Sequence, residues 1–225
     1  MRGVEKARIE DYPYLVQLVQ KKSDSEGLYR CAGVILDESI ILTAAECVKL
    51  KNANFIIKVG TTDVNEGGLQ NQIEGIVSHN LYDPVSLDYN VALVKLKDAL
   101  KYSDTVQPIE LADDGWECNR TNYGSYRGSV VGWTWWGDDK PSNGLLKRSE
   151  LQVIPQKRCE DFWKIFRGTH RNNNKIFCAY KVDHCGICGG EFGGIFIMNK
   201  KVYGFTLGGP RKCAVKKYCE LDKEK

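Results

Sequence analysis

A carboxylate and a thiol stand where the most apolar stretch of the chain ends. The segment "IILTAA", residues 40–45, is followed directly by Glu46 and Cys47. Further along, Asp88 lies two residues before Asn90 in "DYNVALVKL", so strand alternation predicts that both side chains lie on one face. A carboxylate or thiolate acts in catalysis when an open pocket shifts its pKa. The sequence supplies candidates for such a group without fixing their surroundings.

The three histidines are weak candidates for acid–base catalysis. His79 lies in the turn-rich segment "SHNLYDP", His170 in a polar stretch, and His184 beside Cys185. We interpret all three as surface or structural residues. His184, Cys185 and Cys188 are of types that bind zinc, but their spacing does not supply the four ligands of a structural zinc site. We therefore expect no metal and no cofactor.

The composition is typical of an extracellular globular protein. Nine of the 225 residues are cysteines, which is common in secreted chains and rare in reducing compartments. A net charge of +3 with 27% charged residues is too weakly basic to indicate a nucleic-acid partner. The longest apolar runs are broken by charges and are shorter than the roughly 20 residues of a membrane span. We expect a secreted protein without a membrane segment.

Many short β-type segments between turn signals must position these side chains, which favours an all-β fold. The segment "QKRCEDFWKIFRG", residues 156–168, is predicted to be helical, since Cys159, Phe162, Trp163 and Phe166 are spaced for one face. A polar, turn-rich stretch predicts a linker over 113–128, between two β-subdomains over 1–112 and 129–225, each a sandwich or a barrel. The predicted strands are "YLVQLVQ", "CAGVILD", "SIILTAA", "FIIKVG", "IEGIVSH", "NVALVKL", "GSVVGWT", "SELQVIP", "GGIFIMN" and "KVYGFTL".

Several motifs in order along the chain resemble landmarks of the trypsin-like serine proteases. They are "GVEKA" (3–7), "YPYLVQL" (12–18), "CAGVILDESIILTAAECV" (31–48), "DYNVALVKL" (88–96), "VVGWT" (130–134) and "CGGEFGGIF" (188–196). The resemblance covers almost the whole chain. It implies that the two subdomains are six-stranded antiparallel β-barrels, an N-terminal β-barrel over 1–112 and a C-terminal β-barrel over 129–225, packed face to face with a cleft between them.

The resemblance also locates three positions where the family carries its catalytic triad. Glu46 stands at the histidine position, Asn90 at the aspartate position and Phe192 at the position of the nucleophilic serine. A serine hydroxyl needs an adjacent base, which a carboxylate orients, and a phenyl ring has no lone pair to offer. We therefore predict a catalytically inactive member. Glu46 is expected to hydrogen-bond Asn90 in place of the lost pair.

Other cleft positions depart from the family pattern as well. The former oxyanion hole maps to Gly190 and Phe192, and the bulk of Phe192 is expected to fill the space of a scissile carbonyl. The base of the former specificity pocket maps to Gly186. Gly208 and Gly209 stand where the family has a tryptophan–glycine pair, and Glu191 matches the carboxylate that binds the freed N-terminus.

The resemblance implies three disulfides, Cys31–Cys47, Cys159–Cys178 and Cys188–Cys213. A fourth, Cys118–Cys219, resembles a bridge found in some members. Cys185 is then left over, so dimerisation through Cys185, or through an exposed C-terminal patch, stays open. Because the resemblance pairs Cys188 with Cys213 in a disulfide, Cys188 is not expected to bind zinc.

Two features concern the ends and the surface of the chain. Asn119-Arg120-Thr121 is a glycosylation sequon, which makes Asn119 a candidate acceptor. Twelve residues follow Cys213, where the family continues into a strand and an amphipathic helix, so we expect that helix to be shortened or absent.

The N-terminal half resembles the mite group 3 allergens, and a triad replaced at all three positions resembles the inactivated serine protease paralogues of the scabies mite. This resemblance implies a secreted pseudoprotease that binds host complement components and inhibits the cascade. One alternative is a decoy that binds protease inhibitors or masks protease substrates. Another is an enzyme of a different kind that uses Glu46, Asp88 or Cys185. The expected partners are host proteins, with no nucleic acid and no membrane.

Overall fold

The computed structural model describes residues 4–22, 25–49, 54–113, 126–133, 144–167, 176–180 and 193–207. All ten predicted strands and the predicted helix coincide with observed elements. The strands are β1 Glu5–Lys6, β2 Leu15–Lys22, β3 Ser25–Ile35, β4 Ile40–Thr43, β5 Asn54–Val59, β6 Leu69–Ser78, β7 Ala92–Leu96, β8 Glu110–Leu111, β9 Arg127–Gly132, β10 Lys147–Val153, β11 Ala179–Tyr180, β12 Ile195–Met198 and β13 Lys201–Phe205. The helices are α1 Ala45–Val48 and α2 Gln156–Arg167.

Six strands of the first half close into an antiparallel barrel in the order β2-β3-β4-β7-β6-β5. Alternation along these strands explains the closure, because every second side chain points into the barrel. Val16 and Leu18 of β2 and Ile57 and Val59 of β5 pack in one such interior cluster. The expected N-terminal barrel is confirmed.

In the second half the described residues form a sheet, and some of its strands come from outside the predicted unit 129–225. Within the described ranges it is a seven-stranded sheet of order β1-β10-β9-β12-β13-β8, with β11 paired to β10. Strands β1 and β8 come from inside the predicted unit 1–112, and β9 begins at Arg127, inside the predicted linker 113–128. Residues 114–125 lie outside the described residues.

Distant segments join the edges of this sheet by backbone pairing, and an exposed ion pair accompanies each pairing. Glu5 is the register partner of Arg148, and their side chains are joined at 2.8 Å. Glu110 is the register partner of Lys201, and the ammonium lies 3.4 Å from the carboxylate. Opposite charges directly across a strand pair stabilise the pairing. Strands β1 and β8 therefore belong to the second sheet, although they lie in the first half of the chain.

A shared apolar core joins the barrel to the sheet. The side chains of Leu15 and Val34 project from the outer face of the barrel. They pack with Ile195 of β12 and with Trp133, which is almost fully buried. The Trp133 indole Nε1–H donates to the carbonyl of Thr62 at 2.8 Å, which satisfies its polar group inside the core. Strands β2 and β3 therefore bury side chains on both faces, since one face fills the barrel and the other this contact.

Two expectations concern the ends and the surroundings of the chain. Residues 208–225, where the sequence predicted a shortened or absent helix, lie outside the described residues. Within the residues that are described, no helix is long and apolar enough to cross a membrane.

Candidate functional site

Glu46 is held in the first turn of α1, the short helix that follows strand β4. Ala44 and Ala45 before it are fully buried, and Cys47 after it is disulfide-bonded to Cys31 of β3. Helix α1 has no capping side chain from its own N-cap residue, Ala44. An apolar strand, two buried alanines and a disulfide therefore fix the backbone on both sides of Glu46.

Asn90 is positioned by the loop that connects β6 to β7. The loop closes through the His79 N–H, which donates to the Val91 carbonyl at 2.9 Å, and through the His79 ring, which stacks on Tyr89 at 4.6 Å. Leu87 and Tyr89 have φ values of 59° and 53°. Such left-handed conformations are uncommon for residues other than glycine, and here they belong to the turns that lead into Asn90.

Glu46 and Asn90 form a reciprocal hydrogen-bonded pair, as the sequence predicted. The Glu46 backbone N–H donates to Asn90 Oδ1 at 2.9 Å, and Asn90 Nδ2 donates to Glu46 Oε1 at 2.8 Å. The first contact satisfies one of the N–H groups that a helix N-terminus leaves unpaired. Asn90 is only 8% exposed, so its amide is committed to this contact in a largely dry environment.

A tyrosine and a lysine border the pair. Lys49 Nζ lies 5.1 Å from the centroid of the Tyr82 ring, within the range of a cation–π contact. Desolvation raises the pKa of the Tyr82 hydroxyl, and the charges of Glu46 and Asp83 raise it further. The cluster therefore combines a carboxylate, a neutral phenol and an ammonium, and its described members include no imidazole.

The expected placement of Asp88 is wrong. Residues 88 and 89 form a turn and strand β7 begins only at Ala92, so strand alternation does not place Asp88 on the same face as Asn90. Instead, the Asp88 N–H donates to Ser86 Oγ at 3.2 Å, and its carbonyl accepts from the Asp83 N–H at 3.1 Å. The physical reason is the pair of left-handed residues on either side of Asp88, which a strand would not contain.

Gly193, which the sequence analysis did not single out, joins the two halves of the molecule at this site. Its carbonyl accepts from the Ala32 N–H and its N–H donates to the Thr206 carbonyl, both at 3.2 Å. With φ at 79°, an added Cβ would lie 2.8 Å from Cβ of Cys31. Gly193, the residue directly after Phe192, therefore lies against the Cys31–Cys47 disulfide. Cys47 is the residue that follows Glu46. The signal was present in "GEFGG", where two glycines allow a close backbone approach.

The arrangement explains what Glu46 and Asn90 can do chemically. A carboxylamide has no basic nitrogen, and a carboxylate bound to it lacks the imidazole that would pass a proton between hydroxyl and leaving group. Within the described residues, no three acidic, histidine or cysteine side chains come together to hold a metal ion. The pair is well suited to holding α1 against the β6–β7 loop.

Of the implied disulfides, Cys31–Cys47 and Cys159–Cys178 are present. The remaining predicted positions lie outside the described residues. They are His170 and His184; Gly186, Gly190, Glu191, Phe192, Gly208 and Gly209; Cys118, Cys185, Cys188, Cys213 and Cys219; and Asn119.

Known proteins resemble this chain in sequence and in fold. The trypsin of Simulium vittatum is 26% identical over 211 residues, which cover 92% of this chain and 81% of that protein. The trypsin of Sarcophaga bullata is 28% identical over 216 residues, which cover 93% and 78%.

Two solved structures share the fold at lower identity. The crystal structure of the scabies mite inactivated protease paralogue S-D1 aligns with a TM-score of 0.73 at 22% identity, over 91% of this chain and 84% of that one. The structure of GrC aligns with a TM-score of 0.76 at 19% identity, over 99% and 97%. A family model described as Trypsin matches residues 1–222. With its closed barrel, its second sheet and two of the implied disulfides, the chain belongs to the trypsin family.

Proposed function

We propose that this member of the trypsin family is a secreted, non-catalytic binding protein. The observation that carries the proposal is the reciprocal contact between Glu46 and Asn90. A working triad needs an imidazole that accepts a proton from the nucleophile and a carboxylate that orients the imidazole. In this protein the hydrogen-bonding groups of Glu46 and Asn90 are bound to each other instead.

Two further observations support the proposal. The sequence has phenylalanine at position 192, where the family pattern has its nucleophilic serine. A relative in fold, S-D1 of the scabies mite, is described as an inactivated protease paralogue. Other relatives are named trypsins, so catalysis is the hypothesis against which the proposal is tested.

Hydrolysis assays test the absence of catalysis. The purified, oxidised protein is incubated with a library of peptide substrates and with a fluorophosphonate probe that labels activated serines, beside an active trypsin as positive control. We expect neither turnover nor labelling. The variant Phe192→Ser is expected to stay inactive, because the base and its orienting carboxylate are still absent. Turnover by the unaltered protein, or peptide hydrolysis by Phe192→Ser, would contradict the proposal.

The proposed partners are host proteins, with complement components as the specific class. The family resemblance motivates this choice, and the presence of disulfides supports an oxidising, extracellular location. A pull-down from host serum, followed by a complement lysis assay, is expected to capture complement proteins and to reduce lysis. Capture of protease inhibitors without an effect on lysis would instead favour the decoy.

Two variants at the former catalytic positions test whether the partner binds at the cleft or at another surface. Glu46→Gln keeps an oxygen acceptor for Asn90 and removes the charge, so it is expected to fold normally. If the partner binds away from the cleft, Glu46→Gln and Phe192→Ser leave the affinity unchanged. A loss of affinity in either variant would place the binding surface in the cleft and contradict this part of the proposal.

A further inference from the structure

The outer face of the barrel carries a row of apolar side chains that changes from buried to exposed along its length. Backbone pairing aligns Val34, Leu42, Leu93 and Val77 across strands β3, β4, β7 and β6. Val34 is fully buried in the core against the second sheet, and Leu42 is half-buried against the same core. Leu93 and Val77 are 43% and 70% exposed. The exposed half thus continues an interface that the molecule already buries.

The loop beside this row adds further apolar surface. It leaves the same ends of β6 and β7 and carries Leu81 and Val85, which are 57% and 85% exposed. Single exposed apolar residues are normal on protein surfaces, whereas clustered ones mark interaction sites. Two register partners on neighbouring strands, with more such residues in the adjoining loop, favour an interaction site.

The charges next to the row complement each other on one face. Lys95 follows Leu93 at the next outward position of β7, and its ammonium lies 3.0 Å from the Glu74 carboxylate. Both side chains are more than half exposed. A face with one charge of each sign beside an apolar row is complementary to a copy of itself turned by a two-fold axis.

Gly75 leaves space on this face. It is the register partner of Lys95, and an added Cβ would meet no atom within 4 Å. Its φ lies outside the left-handed region, so the backbone there does not require glycine. Glycine inside a strand weakens it, and it often marks a bulge or a place where another chain approaches closely. A register shift lies beside Gly75, and the open space extends outward from it.

We propose that the protein forms a two-fold symmetric homodimer through this face, which we call the β6–β7 face and define by Glu74, Gly75, Val77, Leu93 and Lys95. Val77 and Leu93 of one copy pack on the same residues of the second. The Glu74–Lys95 pair that is closed within one copy exchanges partners, so that Lys95 of each copy faces Glu74 of the other. Continuity with the internal apolar core and the balanced charges favour a second copy over a strongly charged partner.

Sedimentation velocity over a concentration series measures the association directly. Val77→Lys is expected to weaken the dimer at least about tenfold, because it replaces a buried apolar contact by two facing ammonium groups. Gly75→Lys is expected to weaken it as well, while the monomer, which has room for the side chain, keeps its urea unfolding midpoint. Leu69→Lys is the matched control, since Leu69 is 69% exposed on the same strand but outside the β6–β7 face.

A charge exchange tests the symmetry. Glu74→Lys and Lys95→Glu are each expected to weaken association, because like charges then face each other across the axis. Mixing the two variants is expected to restore a heterodimer, since both cross-axis pairs become opposite in charge again. A charge pair that acts only within one copy would give no restoration on mixing.

Three outcomes would overturn the proposal. They are a monomer at every concentration, a dimer that Val77→Lys and Gly75→Lys leave unchanged, and association explained entirely by a disulfide-linked species on a non-reducing gel. A concentration-dependent, non-covalent dimer that is lost with both lysine variants and kept with Leu69→Lys supports it.

Discussion

At the scale of single residues, Glu46 and Asn90 form a reciprocal polar contact. The Asn90 side chain makes two hydrogen bonds to Glu46. Its Oδ1 accepts from the Glu46 backbone N–H, and its Nδ2 donates to the Glu46 carboxylate. An aspartate at position 90 would still accept from the Glu46 N–H. It could no longer donate to the Glu46 carboxylate, and two carboxylates would then face each other.

The variant Asn90→Asp is therefore expected to lower the free energy of unfolding by about 1–3 kcal/mol near neutral pH, the cost of a broken buried hydrogen bond. Urea unfolding measures this loss. In the double variant Glu46→Gln/Asn90→Asp the introduced glutamine amide donates to the new carboxylate, so most of the loss should be recovered. If the free-energy changes of the two single variants simply add in the double variant, Glu46→Gln gives no rescue. That result would show that Glu46 and Asn90 are not energetically coupled.

At the scale of elements, the loop between β5 and β6 is organised around the ammonium of Lys58. Lys58 is only 7% exposed, and Nζ donates to the carbonyls of Val64 and Glu66 at 3.0 and 3.3 Å. The Thr61 hydroxyl donates to the Glu66 carbonyl at 2.7 Å, so two side chains from the start of the loop bind its far end. A buried ammonium is costly without hydrogen-bond partners, so the loop carbonyls and the cation stabilise each other.

Lys58→Met keeps most of the apolar stem and removes the donors. We expect it to lower the free energy of unfolding by about 1–3 kcal/mol and to make residues 60–68 more susceptible to limited proteolysis. The matched control is Lys101→Met, an exposed lysine outside the strands, for which a change within about 0.5 kcal/mol is expected. Equal effects of the two substitutions on unfolding would show that the carbonyls of the loop do not depend on Lys58.

At the scale of the whole molecule, the two halves share an apolar core, and aromatic side chains pack at its edge. Tyr29 lies in that core with its ring 6.2 Å from the ring of Trp133. Burial raises the pKa of Tyr29 and of the half-buried Tyr14 above the ordinary tyrosine value. Ionising either residue in the folded state therefore costs more than in the unfolded chain.

This linkage predicts how the stability of the molecule depends on alkaline pH. The folded pKa lies above the unfolded one, so the contribution of Tyr29 is fully present below about pH 10. It is lost as pH rises further, because the unfolded chain then binds fewer protons. Tyr29→Phe cannot ionise, so its free energy of unfolding should fall less steeply above that pH. Urea unfolding at several alkaline pH values, with tyrosinate absorbance as a second signal, measures both slopes. Parallel slopes for the two proteins would contradict the prediction.

The sequence by itself determined which segments are strands and which family the chain resembles. Short, largely apolar runs such as "YLVQLVQ" indicate buried strands, and they are readable because they depend only on neighbours along the chain. The resemblance likewise implied the Cys31–Cys47 disulfide and located Glu46 and Asn90, whose contact follows from their complementary donors and acceptors.

Only the tertiary structure decided which segments meet. Alternation does not say which edge a strand joins, so β1 and β8 could not be assigned to the second sheet before their backbone pairing was seen. The left-handed Leu87 and Tyr89 turn the chain where alternation predicted a strand, which misplaced Asp88. The partners of Lys58 and the exposed end of the Val34–Val77 row also depend on segments far apart in sequence. Contacts of this kind are fixed by the packing of the whole chain, which no local pattern records.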